Sequence, residues 1–154
     1  MRRILDLRVG WALVVFAFLD LACVVLGMGF PIFCILLGVP VGWYIVETAG
    51  NRRLTDSEIR SEVLLGGVVT AAFTLVMMAL LWGPSATLLF DGRTDLASLG
   101  VPLLLYNARA SFACWLALMI VVSPVLQLLM TLFGAHLTLL ARSGGTAGEL
   151  LHGV

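Results

Sequence analysis

The chain has 154 residues, of which 61% are hydrophobic and 12% charged, against the roughly half apolar and quarter charged mix of soluble domains. That composition belongs to a bilayer protein, and at this length it makes one helical bundle over residues 1–154 with no separate soluble domain. Nine Arg balance nine Asp and Glu, so there is no basic face for nucleic acid and no acidic tail. The chain has no lysine, which excludes Schiff-base or lysine-nucleophile chemistry and reads as the composition of a GC-rich genome. No cofactor is expected.

The start, MRRILDLRVG, and the run LDLAC resemble a secretory signal with a lipoprotein box. Asp20 is wrong for such a box and the apolar run continues past Cys23, so a retained helix is expected. The first apolar segment covers about residues 9–29, long enough to cross roughly 30 Å of hydrocarbon. GMGFP, Gly27 to Pro31, breaks it, and a second segment over about 31–47 follows at once, so these two form a tight hairpin.

ETAGNRRLTDSEIRSE, Glu47 to Glu62, is polar. Within it, Thr55 with Glu58 fits a capping box that starts a third helix, 56–82, stopped by Gly83-Pro84. Trp11, Trp43 and Trp82 are placed to anchor at the headgroups. In the same region Glu47 is expected to pair with Arg52 or Arg53, and Asp56 with Arg60.

Residues 84–106 form a long connection expected to lie on the membrane surface, with DGRTD, Asp91 to Asp95, as a turn lacking the ligand pattern of a calcium loop. The last apolar run, about 109–140, is too long for one perpendicular span and must tilt, protrude, or kink at Ser123-Pro124. The expected fold is therefore all-α with four transmembrane helices. Arg2, Arg3, Arg8, Arg52, Arg53, Arg60 and Arg142 outnumber Arg93 and Arg109 across the membrane, which places both termini in the cytoplasm. The localisation read from this is multi-pass in a cell membrane of the bacterial or archaeal inner-membrane kind.

Counting turns puts Asp20 near the midplane, level with Gly38, Pro40 and Gly42, with Thr70 and Thr74, and with Ser123 and Pro124. On a functional reading these line one site, where freed carbonyls, hydroxyls and a carboxyl hold a proton or small cation. On a packing reading Gly38 and Gly42 form a GxxxG face and Gly66, Gly67, Thr70 and Ala71 a second small face. An ionised carboxylate at the bilayer centre costs about 2.5 to 3.5 kcal/mol, so Asp20 is expected to keep its proton, bonded to Thr74 or Ser123, or to meet a partner on another chain.

Cys23, Cys34 and Cys114 share one depth, which allows a thiol pair or a soft-metal site aided by Met28 and Met119, although packing of small hydrophobes is the favoured reading. Gln127 and His136 are read as able to share a face, with His136 a surface or packing residue.

No nucleophile elbow, phosphate loop or metal-protease motif is present, and an enzyme is not expected. The leading expectation is a small integral membrane protein that forms an oligomer or serves as an accessory subunit among other membrane proteins. The alternatives are a proton- or cation-coupled small-solute transporter or channel working through Asp20, and a thiol-redox or soft-metal protein working through the three cysteines.

Overall fold

The computed structural model describes residues 9–26, 31–52, 54–91, 96 and 105–152. Nearly all of these residues are helical, with no strand among them. In chain order they form α1 (Val9–Leu26), α2 (Ile32–Asn51), α3 (Asp56–Trp82) and a 3-10 helix (Gly83–Leu89). There follow α4 (Ala108–Ala117), a π-helical turn (Leu118–Val122) and α5 (Ser123–His152). Three stretches, Ile32–Asn51, Ser57–Leu89 and Ala108–Arg142, are long and apolar enough to cross a membrane. That length and hydropathy suggest a membrane location.

Each boundary has a local cause. Glu58 accepts from the Thr55 backbone N–H at 2.8 Å and from its hydroxyl at 2.7 Å, which closes the capping box that opens α3. Its far end runs through Gly83 and Pro84 into the 3-10 helix, so the breaking residues tighten the helix instead of stopping it. At the start of α4, Asn107 accepts the Arg109 N–H at 2.9 Å. The π turn ends two residues before Pro124, which has no N–H for the preceding turn. Ser123 offsets that loss, donating both its backbone N–H and, at 2.8 Å, its hydroxyl to the Leu118 carbonyl. The expected kink at Ser123-Pro124 is thus a π-helical turn within one long helix.

The core is built on α2 against α5. Cys34, Gly38, Gly42, Val46 and Ala49 form one buried stripe of α2. Gln127, Thr131, Gly134, Ala135 and Thr138 form the facing stripe of α5. Backbone meets backbone along this seam. A Cβ on Gly38 would strike the Gln127 carbonyl, one on Gly42 the Thr131 carbonyl, and one on Gly134 the Val39 carbonyl. Glycine is therefore required at all three positions for the helices to approach.

An apolar layer of Val46, Ala49, Ile59, Val63 and Ala135 closes one end of the bundle. Further along, Cys34 and Met78 pack with Cys23 and Trp82, and beyond them Leu96, Phe112 and Leu116 gather around Trp82 and Trp115. Trp82 packs edge-on against Trp115 at 4.6 Å, whereas Trp11 and Trp43 are exposed. Only the latter two have the outward placement of an anchoring ring.

Two ion pairs tie the helix ends together. Arg142 donates from Nε and Nη2 to the two carboxylate oxygens of Glu47, at 3.3 and 2.8 Å, clamping α5 to α2. Arg52 faces Glu62 at 3.6 Å, between α2 and α3. Glu47 therefore pairs across the seam and not with Arg52, because the helical continuation to Asn51 carries Arg52 round toward α3. Residues Gly27 to Phe30, the side chain of Asp56, Arg53 and most of the DGRTD stretch lie outside the described residues.

A candidate buried polar site around Asp20

Between the two apolar ends lies a polar layer. Asp20 is fully buried, as are Thr74, Gln127 and Thr131, with Thr70 and Ser123 nearly so. Burying such groups in an apolar bundle is unfavourable unless their hydrogen bonds are made. The threonines meet this demand locally. Thr70 donates to the Gly66 carbonyl at 2.9 Å and Thr131 to the Gln127 carbonyl at 3.0 Å, the usual bond of a helical hydroxyl to the preceding turn.

Thr74 is different because it reaches across to another helix. Its hydroxyl lies 3.1 Å from Asp20 Oδ2 and 3.2 Å from the Thr70 carbonyl. Asp20 also touches α2, where the Cys34 thiol donates to its backbone carbonyl at 3.8 Å. The aspartate is thus the point at which α1 is fastened to both α2 and α3. Phe16, one turn earlier, packs edge-on against Phe73 at 5.9 Å and covers the same junction.

What the layer leaves unused is chemically informative. Asp20 Oδ1 makes no hydrogen bond to the protein, and neither does Nε2 or Oε1 of Gln127. Cys34, which touches Asp20, is one turn of α2 from Gly38, which rests on the Gln127 backbone. The free carboxyl oxygen and the free carboxamide accordingly lie about one helical turn apart along the bundle interior. Together they supply two acceptors and one donor group with unspent capacity. A protonated carboxyl, a small cation or a water molecule is the kind of partner such groups accept.

The midplane set expected from counting turns is only partly assembled. Asp20, Thr70, Thr74, Gly38 and Gly42 are all in the interior, and Gly66 and Gly67 abut Ile45 and Leu128. Ala71 is buried. Pro40 is exposed and does not join them. It is two residues from both Gly38 and Gly42, about 200° around the helix, so the seam that buries the glycines turns the proline outward. Ser123 and Pro124 are buried, but the Ser123 hydroxyl is held by Leu118 and not by Asp20.

The cysteines separate in the same way. Cys23 packs beside Cys34, while Cys114 is exposed on α4, so equal depth does not bring the three together. All three are free thiols, and no group of three metal-ligating side chains occurs among the described residues. Met119 is buried and Met28 lies outside the described residues. His136 is exposed and Gln127 buried, because nine residues is two and a half helical turns. Gln127 is the site residue that sequence reasoning undervalued. Its signal was present: the chain's one glutamine, four residues from both Ser123 and Thr131 in an apolar run.

Comparison with protein-family models, with curated proteins and with solved structures finds no match to this chain.

Proposed function

We propose that the chain is a four-span membrane protein with both termini cytoplasmic, working as a small proton- or cation-coupled transporter or channel in which Asp20 binds the coupling ion. The observation that carries this reading is the buried carboxyl with one oxygen on Thr74 and the other unpartnered. Ionisable groups inside a membrane bundle mark ion or proton pathways because their burial is otherwise costly. The fourth span is α1. Its 18 residues reach about 27 Å. Asp20 near its middle lies beside Thr74 in the apolar stretch of α3, so the two helices share a depth. The orientation rests on the arginine imbalance.

Proton flux into proteoliposomes, read with an internal pH dye, tests the proposal. The wild type should conduct protons or exchange them for a cation, and Asp20→Asn, which preserves the Thr74 contact, should reduce flux at least tenfold. Equal flux in the two proteins would remove Asp20 from the mechanism.

A role as an oligomer-forming or accessory subunit is the second reading, favoured by the lightly packed α1, on which Trp11 is 62% and Phe18 71% exposed. The features that suggested it from sequence make no demand for a second chain, since Asp20 bonds within its own chain and Gly38, Gly42 and Gly67 pack inside it. A mild-detergent mass measurement giving a multimer, together with in-membrane crosslinks through α1, would put this reading first.

A further inference from the structure

A groove of about 490 Å³ opens between α1, α2 and α3. That volume is within the roughly 300 to 1,000 Å³ of small-molecule sites. Its walls are apolar over most of their length, including Phe16, Leu19, Val41, Ile45 and Val69. The charged groups of the lining are at one end, where Thr48, Arg52 and Glu62 form the mouth. The Thr48 hydroxyl is already spent on the Tyr44 carbonyl at 2.7 Å, so the mouth presents chiefly one cation and one anion.

The depth of the groove identifies its occupant. It is lined by residues 12–19 of α1, 37–52 of α2 and 62–70 of α3. Its α2 wall is therefore about 22 Å long and its α3 wall about 12 Å. The apolar part of the α2 wall, residues 37–45, is about 12 Å like the α3 wall, comparable with one leaflet, about half of a 30 Å hydrocarbon core. The inner end reaches Phe16, whose ring packs on Phe73 one turn short of Asp20, and Leu19. A helix from a second copy would need a groove running the full thickness. An acyl chain entering from one leaflet needs only this half.

The mouth identifies the headgroup. Arg52 and Glu62 stand 3.6 Å apart with 49% and 39% of their side chains exposed, a separation at which neither is held tightly. An exposed pair of this kind is weak, so its members are available to other charges. Guanidinium suits a phosphate and carboxylate suits an ammonium, and the two sit side by side as the two charges of a zwitterionic headgroup do.

We infer that the groove between α1, α2 and α3 holds one acyl chain of a zwitterionic phospholipid, with the headgroup phosphate on Arg52 and its ammonium on Glu62. Gly66 contributes by lining the groove where a Cβ would meet Ile45 Cδ1 at 2.7 Å. Asp20 itself does not line the groove.

Native mass spectrometry of the full chain released from nanodiscs of defined phosphatidylethanolamine and phosphatidylglycerol content tests the inference. One phosphatidylethanolamine per chain should survive detergent stripping, retained at least fivefold over phosphatidylglycerol. Ala12→Trp, which fills the groove, should abolish retention, and Arg52→Gln and Glu62→Gln should each weaken it while leaving the circular dichroism unchanged. Because these two substitutions are at the exposed mouth, they keep the inference testable if Ala12→Trp does not fold. A chain that retains no lipid would overturn the inference. So would retention unaffected by the mouth variants, preference for phosphatidylglycerol, or a lipid-free dimer.

Discussion

Along one face of α2, Gly38 and Gly42 bring the helix so close to α5 that an added Cβ would overlap backbone. Around the same helix, Pro40, Val41 and Tyr44 look into an open groove. The difference lies in side-chain size on a four-residue repeat, because every turn of the seam presents a small or slim residue while the groove face carries bulk that holds α1 away. Without water to drive helices together, association in a bilayer depends on close packing and a few polar bonds. The seam has the first of these. Helix α1 relies on the second, through Asp20.

The largest effect expected from this contrast is at the seam. Gly42→Val places a branched side chain against the Thr131 carbonyl and the Ala135 nitrogen, neither of which can swing aside. A loss of about 3 kcal/mol, the upper part of the overpacking range, is expected in a denaturant titration in bicelles. Gly66→Ala meets only the flexible end of Ile45 and should cost less than about 1 kcal/mol. Equal costs at the two sites would break the distinction between seam and groove.

Next in size is Gln127→Leu. The substitution removes two unpartnered polar atoms from a fully buried side chain of similar volume, so stability should rise by about 1 to 2 kcal/mol while flux is lost. A loss of stability would mean that the carboxamide already has its partners.

Thr74→Val removes the bond that fastens α1. Its cost should be about 0.6 to 1.7 kcal/mol, within the range for interhelical bonds in membranes. Hydrogen exchange should rise in α1 and not along α5. The smallest effect is at the half-exposed clamp, where Glu47→Gln should cost under about 1 kcal/mol and only at low salt. A separate check on rotation is thiol alkylation in membranes, where exposed Cys114 should react and buried Cys34 should not.

Much of this architecture is legible in the sequence because it depends on spacing along the chain. Apolar run lengths place the helices, Thr55 and Glu58 mark the start of α3, and turn counting puts Asp20 level with Thr74. Rotation about each helix axis is less legible, since all faces of a membrane helix are apolar and no solvent side distinguishes them. That is why Cys114 falls outward despite matching Cys34 in depth. Some of the rest follows from arithmetic, since Pro40 is half a turn from the glycines and His136 two and a half turns from Gln127. The pairing of Glu47 with Arg142, 95 residues away, has no local signal.

The most direct test of the central claim is infrared spectroscopy of the carboxyl stretch in lipid nanodiscs, comparing wild type with Asp20→Asn and Gln127→Leu across pH. A buried acid that exchanges its proton predicts a band absent from Asp20→Asn, shifted in Gln127→Leu, and lost reversibly as pH rises. A band that keeps its full intensity at every pH would contradict the account, leaving Asp20 as a sealed hydrogen bond that only holds α1 in place.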